Sequence, residues 1–584
     1  MTGTMTRTMR TAPDVVMPWT VVGVILATVG ALLQTPAQPV RQVDVASLLP
    51  AGAALVLQAK DFASILNDWN GSSAKEKWLA SDNYEAFSRS RLFLRLKEAY
   101  EEFATAAGVP VDMTLVSDVA GTESALAIYD IGKLEFLYVT RLPSAKAVEN
   151  VLWRTRGDYE PRQAAGTPFY VRIDPGSKRL VAFGARDQYL LLATREDLLA
   201  GGLTLIGGQP SGTAVSLQSE KWFAQAVRAA GSPGDLRLVT DVGTLVKEPH
   251  FRSYWIQDNV GELKQFSSGV SDLFRTPAAI REERVLLRAD EKPAPQASDE
   301  RATALGDIMR LVPDGAGLYR AWVAPSADDA TTLIFRKILV SGAASSVRDR
   351  TAPSVALTTG VTGGEGDLEL RVDEEARAPR QVGYQTTAFS QLVGGAPLVA
   401  TLHVESTRAA SDAVFVNRGA VIVVARQGDW PPGAARDALR AAVEPVWTRA
   451  HLGMRWSDVR IGTQTFSQME GLEPIVLAER GRLLFVANDP ELLASMLDAV
   501  SKPPLAVRGV YAGGFRHAVE RDRFGGVMRF IDHSAARAEN REPMFFSQNL
   551  ASLSHTLSGV EAASIVVDDA GTNVSQTVTY RIAR

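Results

Sequence analysis

The sequence predicts an α+β protein of two related lobes, each a largely antiparallel sheet with packed helices, preceded by one N-terminal transmembrane helix. Three observations carry that expectation. Short apolar runs alternate with turn residues and with amphipathic stretches. A set of landmarks occurs twice in the same order. One long uncharged segment lies close to the N-terminus.

The N-terminal segment comes first in the chain. Arg7 and Arg10 precede an apolar stretch from Val15 to Leu33, broken only by Pro18 and the small polar Thr20 and Thr28. At ~1.5 Å per residue a helix of that length nearly matches the ~30 Å hydrocarbon core of a bilayer. Positive charge before the apolar run orients the N-terminus inward and the remainder outward. A cleaved signal peptide is the alternative, since Thr35-Pro36-Ala37 offers small residues, although the intervening proline makes a poor cleavage site. Residues 1–34 are therefore expected to be a membrane segment, anchor or signal, and 35–47, with Pro36 and Pro39, a stalk. The implied location is the inner membrane, with the bulk of the chain in the periplasm or extracytoplasmic space.

The body follows. The chain has 584 residues, more than one hydrophobic core holds, so at least two domains are expected. A stretch rich in proline and charge, residues 289–304, separates a first α+β repeat at 48–288 from a second at 305–584. The first opens with Leu49-Pro50-Ala51-Gly52-Ala53 and an apolar run to Ala59; the second opens with Val312-Pro313-Asp314-Gly315-Ala316 and a run to Val323. Leu190 to Leu199 matches Leu484 to Leu493, each a buried strand, a polar turn and a helix starting on an acidic residue. Asn259 to Leu263 with Ser268-Gly269-Val270 matches Asn549 to Leu553 with Ser558-Gly559-Val560. Three landmarks in one order indicate internal duplication.

Within a repeat, strands dominate. Val181 to Phe183 and Tyr189 to Ala193 flank a turn with Gly184, Arg186 and Asp187, a hairpin signature. Phe136 to Thr140 and Val421 to Ala425 are further strands. Phe93, Leu96, Tyr100, Phe103 and Ala107 step along one face of an amphipathic helix. Asn67 to Asn83 reads as a loop leading into it.

Composition excludes several chemistries. The net charge is -4 with no long single-sign run, which argues against nucleic acid as a partner. Cysteine is absent, which removes thiol nucleophiles, disulfides, thiolate zinc sites and a lipidated N-terminal cysteine. Six dispersed histidines lack ligand spacing, so no metal and no cofactor is expected. Gly207 to Thr213 resembles a phosphate loop without its lysine. The acidic stretches Gly363–Asp367 and Asp373–Glu375 lack the register of a calcium loop. Arg156-Gly157-Asp158 is too short a string to carry weight, and Gly-x-Ser-x-Gly does not occur.

The sharpest enzymatic lead is Ser72-Ser73-Ala74-Lys75 followed by Ser81-Asp82-Asn83. One helical turn would place Lys75 beside Ser72, where it could accept the hydroxyl proton. That pairing resembles penicillin-binding proteins and class A β-lactamases, but the two motifs nearly adjoin here and no Lys-Thr-Gly follows. Trp69 and Trp78 flank this stretch and are candidates to line a binding surface.

The repeated unit, opening on Leu-Pro-x-Gly-Ala and closing on strand, turn and an acidic-Leu-Leu helix, together with one membrane segment, resembles the exported bacterial proteins grouped as domain of unknown function 3352. That resemblance implies an envelope location and no established activity. The expected role is a membrane-tethered, non-catalytic binding or scaffolding protein of the bacterial envelope, contacting the lipid bilayer through its first helix and an envelope protein through its lobes. The alternatives are a serine hydrolase or acyltransferase acting on envelope substrates through Ser72 and Lys75, or a lipid carrier.

Overall fold

A computed structural model describes residues 44–72, 75, 76, 79, 84, 88, 89, 91–208, 214–249, 263–276, 278–290, 299–339, 384–407, 418–447, 454–470, 474–519 and 560–582. The segment Val15–Leu33 lies outside the described residues. Among those described, no helix is long and apolar enough to cross a membrane. The chain divides into two compact units: Met1–Lys292 with Gly571–Ser575, and Pro293–Ala570 with Gln576–Arg584. Each unit is α+β, with an antiparallel sheet and packed helices.

In the first unit the strands are β1 (Leu55–Ala59), β2 (Ser124–Asp130), β3 (Glu135–Arg141), β4 (Glu160–Ala164), β5 (Thr167–Ile173), β6 (Leu180–Arg186), β7 (Tyr189–Ala193), β8 (Leu236–Thr240), β9 (Phe266–Thr276) and β10 (Ala279–Arg288). Pairing runs β4-β5-β6-β7-β3-β2-β1-β8-β9-β10, antiparallel throughout. The β6–β7 hairpin closes on Asp187 and Gln188, with Asp187 at φ 53° and Gly184 inside the strand.

Helices cover both faces of this sheet, which is why β7 and β8 are buried at every position; β7 reads as an unbroken apolar run, whereas β8 carries the buried Arg237 and Thr240. On one face Leu198, Leu199 and Leu203 of α6 (Glu196–Ile206) and Phe223 and Ala226 of α7 (Lys221–Ala229) pack on Val56, Ala127, Val139 and Leu191. On the other, α1 (Phe62–Asn70) sits over Ala59, Leu236 and Leu273. There α2 (Arg91–Ala107), α3 (Met113–Val119), α4 (Ser144–Glu149) and α5 (Val151–Arg154) enclose Phe183, Leu190 and Leu192. A short helix, α8 (Val242–Leu245), follows β8.

The second unit contains β11 (Leu318–Val323), β12 (Leu398–Thr407), β13 (Arg418–Arg426), β14 (Trp456–Ile461), β15 (Gln464–Met469), β16 (Ile475–Arg480), β17 (Leu483–Ala487), β18 (Tyr511–Phe515), β19 (Val560–Asp569) and β20 (Asn573–Ile582). Pairing runs β14-β15-β16-β17-β13-β12-β11-β18-β19-β20. The order of pairing is the same in both units. One face packs against α9 (Asp299–Met309) and α13 (Pro490–Asp498), the other against α10 (Ala327–Ile334), the π-helical turn Phe335–Leu339, α11 (Thr387–Val393) and α12 (Ala434–Trp447).

Two sequence expectations are corrected. Asn67 to Asn70 is the last turn of α1, not a loop, because Asp61 caps the helix through Ser64 N–H and Ile65 and Leu66 bury against the sheet. In α2 the described apolar face is buried only toward the C-terminus: Phe103, Ala106 and Ala107 are buried, whereas Leu96 and Tyr100 are 44% and 48% exposed. Of the third landmark, residues 259–262, 549–553, 558 and 559 lie outside the described residues; Gly269 pairs with Thr240, and Ala563 pairs with Phe515.

Candidate functional site

Ser72 and Lys75 are both placed. The Ser72 hydroxyl donates to the Trp69 carbonyl at 2.8 Å and accepts from the Lys75 backbone N–H at 3.2 Å. The Lys75 ammonium instead donates to Asn70 Oδ1 at 2.7 Å. Serine and lysine thus serve the end of α1 and the start of the next turn, an arrangement that serine side chains adopt at helix ends. Trp69 packs on the α1 cluster. Ser81, Asp82, Asn83 and Trp78 lie outside the described residues, as do the two acidic stretches and His250, His451, His533 and His555. Among the described residues no group of three or more acidic or histidine side chains is arranged to hold a metal ion.

The Leu49–Ala53 motif does lead to a site. Gly52 adopts φ 97°, a conformation that favours glycine, and this turns the chain back across the sheet end. The loop is pinned by Ala51 N–H to Val215 O and Leu217 N–H to Leu49 O, both 2.8 Å. Beside it opens a pocket of about 710 Å³, lined by Gly52, Ala53, Ala54, Tyr129, Asp130, Ile131, Glu220, Lys221, Trp222, Gln225, Asp241, Thr244, Glu248 and Ser267. Its walls carry four carboxylates, one ammonium, an indole and a phenol.

Most of these groups are already oriented. The Tyr129 hydroxyl donates to Pro50 O at 2.8 Å, and burial, reinforced by the Glu220 charge, pushes its phenol well above the usual value. Glu220 accepts from Gly52 N–H at 2.8 Å and from the Trp222 indole N–H, so one carboxylate fixes both the loop and the indole. Asp241 caps α8, accepting from Thr244 N–H at 2.9 Å and Thr244 Oγ1 at 2.7 Å. Asp130 caps the β2–β3 turn through Lys133 N–H at 2.9 Å. The Glu248 carboxylate has no hydrogen-bond or ion-pair partner among the described residues. A half-open cavity with aromatic walls and excess carboxylate is suited to holding a cation, by charge and by the negative faces of the rings.

The same place in the second unit is built differently. Asp241 N–H donates to Ala54 O at 2.9 Å, and Arg516 N–H donates to Gly317 O at 2.7 Å. Thr240 pairs with Leu55 as Phe515 pairs with Leu318, so Arg516 stands where Asp241 does. The Arg516 guanidinium donates to Pro313 O and, at 3.2 Å, to Ala316 O, and lies 5.7 Å from the Tyr319 ring centre. In the first unit Pro50 O takes Tyr129 instead, and no described donor reaches Ala53 O.

The second unit buries polar groups where the first is apolar. Ile128 and Glu405 pair with Leu55 and Leu318 respectively, which makes Leu126 the counterpart of His403. Glu405 Oε1 lies 2.9 Å from Lys337 Nζ in the π-helical turn and 2.8 Å from His403 Nε2, the latter without a linear N–H···O alignment. Burial lowers the His403 value. For Glu405 burial acts to raise it but is outweighed by His403 and Lys337, which hold the carboxyl well below the usual range.

No protein-family model matches the chain, and no curated protein matches its sequence. Among solved structures, crystal forms I and III of TP0453 align at 12% identity over 43% of this chain and 81% and 82% of theirs, with TM-scores of 0.22 and 0.23. A likeness of that size carries no argument about this chain.

Proposed function

We propose that this is a non-catalytic binding protein of the bacterial envelope, exported and tethered by the Val15–Leu33 segment, with the first-unit pocket as its ligand site. The observation that carries the reading is the pocket itself, an open cavity whose tyrosine, tryptophan and three of four carboxylates are held by hydrogen bonds. Such prior orientation lowers the ordering cost of binding. The non-catalytic part is supported by the side chains of Ser72 and Lys75: the hydroxyl donates to Trp69 O and the ammonium to Asn70 Oδ1, so the ammonium does not serve the hydroxyl as a base. The resemblance to domain of unknown function 3352 agrees with the compartment. The two units derive from one duplicated ancestor; the shared pairing order and the paired backbone bonds at Asp241 and Arg516 support that origin.

Fractionation of cells expressing the full-length chain, followed by photo-crosslinking from position 222, tests the proposal. The expected result is recovery in the inner membrane, protease access from the periplasmic side, and a defined crosslinked envelope partner. Recovery in the cytosol would overturn it, and so would fluorophosphonate or fluorescent β-lactam labelling that Ser72→Ala abolishes.

A further inference from the structure

We infer that the first-unit pocket takes a guanidinium group supplied by a bound molecule, the group that the second unit supplies from within as Arg516. This rests on the reading of the pocket as a ligand site. The strands that follow the two loops hold the same register, Leu55 against β8 and Leu318 against β18, while the loops differ in conformation: Gly52 has φ 97° and Gly315 has no positive φ. In the second unit the guanidinium sits on the carbonyls of Pro313 and Ala316. In the first, the position of that side chain is taken by Asp241, a carboxylate, and a cavity of about 710 Å³ lies open beside it.

The receptor groups for such a ligand are present. Ala53, the counterpart of Ala316, is 3% exposed and lines the cavity, and no described donor reaches its carbonyl. A buried carbonyl without a donor is rare in folded proteins and is satisfied when a donor enters. Glu248 projects a carboxylate with no described partner into the same space, and Asp241 retains acceptor capacity beyond its capping bonds. The Trp222 indole is held by Glu220, and a tryptophan face is the preferred aromatic surface for a guanidinium. The single lining cation, Lys221, leaves the site with a clear excess of negative charge.

Calorimetric titration of the full-length chain in detergent tests this, with agmatine, N-acetyl-arginine amide and a Gly-Arg-Gly peptide amide, and with N-acetyl-citrulline amide as the neutral isostere. The expected result is saturable binding of the guanidines and at least about tenfold weaker binding of citrulline, the loss of charge-assisted bonds. Glu248→Gln and Asp241→Asn, the latter keeping the capping acceptor, should each weaken guanidine binding by about tenfold without moving the melting temperature. Tighter binding of agmatine than of the peptide identifies a free guanidine as the ligand; tighter peptide binding identifies an arginine of a polypeptide. Equal binding of citrulline and arginine amides, no guanidine binding by the folded chain, or unchanged binding in both variants overturns the inference. A crosslinked envelope partner with no guanidine binding would remove this inference alone. Guanidine binding with the chain in the cytosol would remove the envelope reading alone.

Discussion

Asp241 and Arg516 occupy the same place in their two units: each follows the strand beside the Pro-x-Gly-Ala loop, and each donates its backbone N–H to the matching loop carbonyl. One presents an acid and the other a base. Arg516 closes its loop by bonding Pro313 O and Ala316 O, so Arg516→Ala should destabilise the second unit by about 1.5–3 kcal/mol, the range for charged hydrogen bonds. Asp241→Asn should cost within about 0.5 kcal/mol, since the capping acceptor remains. Denaturant midpoints of the two variants check both.

Arg237 and Asp272 form a two-pronged pair, Nε to Oδ1 at 2.8 Å and Nη2 to Oδ2 at 2.7 Å, with both side chains buried. The corresponding pair in the second unit is Ala512 and Val566. Removing one partner strands a buried charge, so Asp272→Val should cost about 3–5 kcal/mol. The double variant Arg237→Ala with Asp272→Val should recover most of it. A double-mutant cycle in urea measures the coupling; additive losses would contradict the packing described.

A Cβ on Gly202 would meet Leu191 Cδ2 at 2.7 Å, and one on Gly201 would meet Pro50 Cγ at 2.8 Å. The glycine pair is what lets α6 lie against β7 and the pocket loop. Gly202→Ala should destabilise the first unit by about 1–3 kcal/mol through overpacking, read as a lowered melting temperature.

Acid should weaken the second unit. His403 has a folded value below the unfolded one, so the unfolded chain binds more protons and stability falls as pH drops through about 6.5. Glu405, also depressed, adds a further loss below about 4.5. For one group the slope is limited to about 1.4 kcal/mol per pH unit. Urea midpoints between pH 5 and 8 should show the first loss, and His403→Leu, which installs the residue type of Leu126, should remove it.

The sheets were legible because strands covered on both faces must be apolar throughout, and Tyr189–Ala193 and Leu483–Ala487 announce that directly. The paired strand-turn-helix elements were legible too, since Glu196 and Glu491 sit in first helical turns. Other features depended on tertiary neighbours. Leu96 and Tyr100 follow the helical period, but among the described residues nothing packs on that part of α2 closely enough to bury them. The pocket had one local sign, the glycine of the repeated loop. Tyr129, Glu220, Asp241 and Glu248 come from separate elements, and no spacing along the chain marks their convergence.

The central claim is that the first unit leaves open, for a ligand, the place the second unit fills with its own arginine. Calorimetric titration of agmatine into Asp241→Arg beside the unaltered chain measures it most directly. Saturable binding by the unaltered chain and its loss in a folded Asp241→Arg protein is the predicted result. Equal binding by both would contradict it.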